Sequence, residues 1–174
     1  LKFIVSSPTA AKSLKPETPY ILINLLSTEE FESADRILPD SPPEISGEQI
    51  DRVDAICDDI QSEAAAERFD SVLFTDKLAI LIFEAIEDWV DVFASDLLIV
   101  CVGSGGMGQA TGVAAAIASI YNKSGDDFLR NSTNYVINDF VYDKMLEVWG
   151  TLDSERNTRE EQGAFGSTLP VINI

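Results

Sequence analysis

Histidine is absent from all 174 residues. Its absence removes the usual base of serine and cysteine triads, the usual proton shuttle near neutral pH and a common zinc ligand. Cysteine is scarce. Cys57 and Cys101 are the only two, each in apolar surroundings and with no metal-ligand spacing, so both read as reduced, buried thiols of a cytosolic protein. Cations are scarce as well: 12 Lys and Arg stand against 30 Asp and Glu, a formal net charge of −18. Nucleic acids and anionic membranes both require a cationic footprint, so neither is an expected partner. No apolar run is long enough and clean enough to span a bilayer, because Glu84, Glu87, Asp88 and Asp91 interrupt the longest one, 78–93. No basic, apolar, small-residue leader opens the sequence, so no signal peptide is expected.

Three readings account for the acidity. It can serve solubility, as on a halophilic or host-adapted surface; it can dock a basic protein; or it can mimic the charge of nucleic acid.

The apolar fraction of 45% and the length are those of one globular domain with a real core. Residues 2–6 read as a short strand, and Pro8 opens a small helix over 9–14. YILINLL (20–26) is a continuous apolar run of strand length, as expected of a strand covered on both faces. Residues 27–50 mix acids with Pro39, Pro42, Pro43 and Gly47 and read as loop, with one helical turn near Glu29. A third strand is expected over 53–57, ending at Asp58 and Asp59, with a loop or short helix over 61–69. Thr75 can cap a helix in which Leu78, Leu81, Ile82, Ala85, Ile86, Trp89, Val90 and Phe93 recur at helical spacing. LLIVCV (97–102) is a second doubly covered strand, running straight into GSGGMG (103–108) and a further helix that Gly125 breaks. Asn138 can cap a last helix, with Gly150 as its stop. Residues 151–163 are polar and expected as a linker, and 169–174 as an apolar tail that docks on this domain or on another chain. Strands alternating with helices predict an α/β fold with a mainly parallel sheet of about four to five strands.

The strand, glycine-rich turn and helix around residue 103 form the layout of an anion site, with backbone N–H groups turned inward and a helix N-terminus behind them. GSGGMG fits the dinucleotide-binding pattern G-x-G-x-x-G, but that fingerprint normally opens its domain. Here KSGDDFLRN (123–131) follows where a strand ending in a ribose-binding acid belongs. A Rossmann-type dinucleotide binder therefore stands only as an alternative.

The stretch VCVGSGGMGQATGVAAAI (100–117) resembles the cysteine-dependent tyrosine and dual-specificity phosphatases, whose loop reads V-H-C-x-x-G-x-x-R-S before P-A-V-A-A-A-I. CDDI (57–60) is similar to their F-D-D-I segment, and YVINDFVYDKML (135–146) to their Y-x-P-N-x-x-V-Y-x-x-L-L ending. IVSSPTAAKSL (4–14) is similar to the opening of short bacterial and phage members. The resemblance covers about residues 1–150 and implies a phosphatase-like domain there.

Set in register on the shared helix start at 113–117, Gly106 takes the mid-loop glycine. Gly103 takes the place of the nucleophilic cysteine, Gln109 that of the arginine, and Ala110 that of the hydroxyl residue. The loop to weigh is thus Gly103, Ser104, Gly105, Gly106, Met107, Gly108, Gln109 and Ala110, with Asp58 and Asp59 in the general-acid region. The family reaction needs a thiolate to attack phosphorus, a guanidinium to hold the equatorial oxygens and an acid for the leaving group. Gly103 has no side chain and Gln109 no charge. A register slipped to Cys101 reaches Met107 instead of arginine, and no Lys or Arg occurs between Lys77 and Lys123.

The expectation is a catalytically inactive phosphatase-like protein, needing no cofactor or metal. It would bind a protein partner, a basic one for preference, in a bacterial cytoplasm or, if viral, that of the host. The alternative is a non-hydrolytic binder of a phosphorylated small molecule or nucleotide. Asp58 and Asp59 have a plainer role open to them, as acids ending a strand and fixing a turn.

Overall fold

The computed structural model describes residues 1–27, 45–69, 71–103, 108–123 and 136–165. In chain order these form β1 (Lys2–Ser6), α1 (Pro8–Ala11), β2 (Tyr20–Leu26), β3 (Gln49–Ile56), α2 (Glu63–Phe69) and α3 (Asp76–Phe93). A turn of 3₁₀-helix (Ala94–Asp96), β4 (Leu98–Gly103), α4 (Gly108–Tyr121) and α5 (Asp139–Phe165) follow. The four strands make one parallel sheet in the order β1-β4-β2-β3. The fold is therefore α/β with a parallel sheet flanked by helices, as the alternation of elements predicts.

Alternation along each strand divides the core into two layers. Ile21, Ile23 and Leu25 of β2, with Ile99 and Cys101 of β4, face α3, α4 and α5. Tyr20 and Leu22, with Leu98, Val100 and Val102, face α1 and Ile45 on the other side. Every residue of β4 is buried, which is why its sequence lacks the alternation of a half-exposed strand. α1 leaves β1 toward one face, while α4 leaves the neighbouring β4 toward the other. The chain thus has a topological switch point between β1 and β4, at the carboxyl end of the sheet.

Helix α3 begins where its cap predicts. Thr75 has extended backbone geometry, and its hydroxyl accepts from the Leu78 N–H at 3.3 Å. Leu78, Ala79, Ile82, Phe83, Ala85 and Ile86 form its buried stripe, and Leu81 stays exposed.

Three expected boundaries shift. β3 starts four residues early, because its Asp51, Arg52 and Asp54 lie on an edge strand where charge stays partly solvated. The expected helix over 9–14 is shorter, closing at Ala11. The largest correction is at the end: Gly150 does not stop the last helix, and residues 151–163, expected as a linker, lie within α5. A Cβ at Gly150 would meet nothing within 4 Å, so the glycine sits on an open helix face at a cost of about 1 kcal/mol against alanine. Beyond it, Arg156 lies over the Trp149 ring at 5.5 Å and pairs with Glu87 of α3, tying the extended helix back to the domain. The helical turn expected near Glu29, the break at Gly125 and the tail over 169–174 fall outside the described residues.

Thr75→Ala removes the oxygen that accepts from Leu78 N–H, and should lower unfolding stability by about 1 kcal/mol in urea titration. Thr75→Ser, which keeps the acceptor, should recover most of the loss.

Candidate functional site

The carboxyl end of the sheet gathers most of the expected site residues that the structure describes. Gly103 is the last residue of β4, buried and paired with Leu25. Ser104, Gly105, Gly106 and Met107 lie outside the described residues. Gly108, Gln109 and Ala110 form the first turn of α4, and all three are buried. Ala110 faces the core shared with α3 and α5.

Gln109 occupies the position where the sequence register expects arginine, and it is only 2% exposed. Its Nε2 donates to the Cys57 carbonyl at 2.7 Å, and its Oε1 lies 3.6 Å from Cys57 Sγ. The carboxamide is therefore fully committed to the end of β3.

Asp58 and Asp59 follow β3 and do different jobs. Asp58 makes two hydrogen bonds with Val72: its backbone N–H donates to the Val72 carbonyl at 2.7 Å, and its side-chain Oδ2 accepts from Val72 N–H at 2.8 Å. It fixes the segment leading into α3. Asp59 turns toward α4. A Cβ built on Gly108 would come within 2.7 Å of Asp59 Oδ2 and 2.9 Å of Oδ1, so only glycine admits the carboxylate here. Asp59 thus stands at the N-terminus of α4, where the helix dipole favours negative charge.

Asn138 closes the arrangement. Its Nδ2 donates to Asp59 Oδ1 at 2.7 Å and to the Ile60 carbonyl at 3.1 Å. Its Oδ1 accepts from Val141 N–H at 3.1 Å, capping α5, and its own N–H donates to the Gly108 carbonyl at 3.0 Å. Gly112, one turn along α4, makes room for this contact: a Cβ there would lie 2.8 Å from the Asn138 carbonyl oxygen. The sequence signals Asn138 as a cap, but not its bonds to Asp59 and Ile60. The spacing of Gly108 and Gly112 along one helix face was the available sign of close packing.

Both thiols are buried and free. Burial first, then the negative charges of Asp58 and Asp59, push the Cys57 thiol up to about 12. Burial alone raises Cys101 far above its ordinary range. Cys101 lies within β4 between Val5 and Ile23, in the core facing α3, α4 and α5. Neither thiol offers an accessible thiolate near neutral pH. Among the described residues no group of three or more Cys, Asp or Glu could hold a metal ion, and no helix is long and apolar enough to cross a membrane.

Comparison of the chain with protein-family models, with curated proteins and with solved structures finds no match.

Replacing Gln109 with Leu keeps the volume but leaves the Cys57 carbonyl without its buried donor, and should cost about 1–3 kcal/mol in denaturant unfolding. The thiols predict an alkaline limit. Each folded-state value is raised above the unfolded value near 9, so the folded chain holds protons that the unfolded chain releases. Stability from this source is complete below pH 9 and falls as pH rises toward 12, by up to about 1.4 kcal/mol per pH unit per thiol. Urea titrations from pH 8 to 11 should show this decline, and it should shrink in Cys57→Ala.

Proposed function

We propose that this chain is a catalytically silent phosphatase-like domain that works by binding a protein partner with a basic surface. The observation that carries the reading is the carboxamide of Gln109, bonded into the core through the Cys57 carbonyl at 2.7 Å. In the register with the phosphatase loop, this is the position from which a guanidinium would grip phosphate oxygens. Gly103, at the nucleophile's position, has no side chain, and Cys101, the nearest thiol in sequence, is fully buried.

The anion-binding alternative meets a specific obstacle. Asp59 already places a carboxylate beside Gly108 at the start of α4. A phosphorylated ligand approaching that helix end would meet like charge close by, on a chain whose net charge is −18. The dinucleotide alternative has less support still. Its fingerprint belongs after a first strand, and here the glycine-rich sequence follows β4. A net charge of −18 with few cations suits a basic partner, whose approach it would accelerate in low salt.

Purified protein incubated with an aryl phosphate between pH 5 and 7 should show no turnover above buffer. Turnover abolished by Cys101→Ser would overturn the proposal and restore the slipped register. Inorganic phosphate and phosphotyrosine should not raise the melting temperature beyond sodium chloride of equal ionic strength; a saturable rise would favour the anion-binding alternative.

A further inference from the structure

Asn24 is a polar residue inside YILINLL, fully buried at 0% exposure. Its Nδ2 donates to Asp54 Oδ1 on β3 at 2.9 Å. Asp54 is held in turn by Arg52, whose Nε and Nη2 donate to its two oxygens at 2.6 and 2.9 Å. This chain of bonds fixes the carboxamide with its nitrogen toward β3. The other end, Oδ1, is buried and has no hydrogen-bond partner. An unpaired buried acceptor costs about 1–3 kcal/mol, and an alanine, valine or leucine would have packed there without that cost. Orienting one end of an amide through a carboxylate and a guanidinium, while leaving the other end unpaired, is the arrangement of a preorganised recognition group.

Its position fits that role. Ser6, Val102, Asn24 and Asp54 form one row across β1, β4, β2 and β3, on the face that carries α1. The row lies at the carboxyl end of the strands, beside the switch point between β1 and β4, where open α/β sheets take their ligands. Ser6, 6% exposed, donates its hydroxyl proton to the Ser7 carbonyl at 3.2 Å and so also presents lone pairs. The row thus offers acceptors: Asn24 Oδ1, the Ser6 hydroxyl oxygen and the Asp54 carboxylate. The positive charge of Arg52 is already paired with Asp54.

We infer that this row is a binding site for a small organic ammonium group, with Asn24 Oδ1 accepting its N–H. An ammonium supplies donors and no acceptors, and a chain of net charge −18 draws cations. The acceptor is enclosed in this structure, so binding is read at equilibrium. The inference does not rest on the proposed partner.

Methylammonium chloride is the probe. Tetramethylammonium chloride carries the same charge without an N–H donor, and sodium chloride controls for screening. Methylammonium should raise the melting temperature saturably, by about 3 °C above both controls at ten times its dissociation constant. The gain should vanish in Asn24→Leu. In the wild-type protein the side-chain amide NMR signals of Asn24 should move with methylammonium and not with tetramethylammonium, a readout that does not depend on the variant folding. Equal responses to all three salts, an unchanged methylammonium effect in Asn24→Leu, or unmoved Asn24 signals would each overturn the inference.

Discussion

The junction around Asn138 holds the carboxyl end of the sheet together. One side chain caps α5 and bonds both the Asp59 carboxylate and the Ile60 carbonyl, while its backbone N–H holds the Gly108 carbonyl. Three chain segments that are remote in sequence meet there: the end of β3, the start of α4 and the start of α5. Each bond is buried or partly buried, where hydrogen bonds are stronger and orphaned groups more costly than at the surface. The glycines at 108 and 112 exist in this setting because a methyl group at either would strike Asp59 or Asn138.

Around that junction the core does the larger share of the work, and charge is kept at its margins. The buried faces of β2 and β4 meet α3, α4 and α5 on one side and α1 with Ile45 on the other. The acids of α3 lie largely on its solvent side; Asp76 pairs with Lys144 of α5, and the less exposed Glu87 pairs with Arg156. That pair, with Arg156 over Trp149 and Trp149 against Phe83 and Tyr121, explains how a helix carrying glycine in its middle stays tied to the domain as far as Arg156. Surface ion pairs alone contribute little, roughly 0–1 kcal/mol, so the aromatic packing is the larger anchor.

Local patterns made much of this legible in the sequence. YILINLL reads as a doubly covered strand because every residue is apolar but one, and Thr75 and Asn138 read as caps because their side chains act three residues ahead. What depends on remote partners was not legible. The strand order follows from pairing that no local pattern encodes, and β3's polar opening reads as loop until β2 is laid beside it. The run past Gly150 turns on Glu87, 69 residues from Arg156. Of the candidate site, the positions of Gly103, Gln109 and the two aspartates were readable. The inward turn of Gln109 was not, because its partner is the carbonyl of Cys57, 52 residues earlier. Asn24 was readable as an exception: one amide in a run of aliphatics has no packing reason to be there.

Glycine-rich turns between a strand and a helix have two physical origins, and sequence alone does not separate them. In one, glycine lets backbone N–H groups approach an anion; in the other, it lets two parts of the protein approach each other. Gly108 and Gly112 belong to the second kind, since the groups they admit are Asp59 and Asn138. The first of these is itself an anion, seated where a phosphate-binding helix would receive its ligand. A motif read as anion-binding can thus persist with its charge requirement met internally. The helix end then gains stability from a residue of its own chain, and an external anion has to displace that residue as well as bind. Such a site is closed by covalent connectivity: the competing carboxylate is present at a fixed, high effective concentration that a free ligand does not match. A residue of the same chain thus disfavours an external anion at the start of α4.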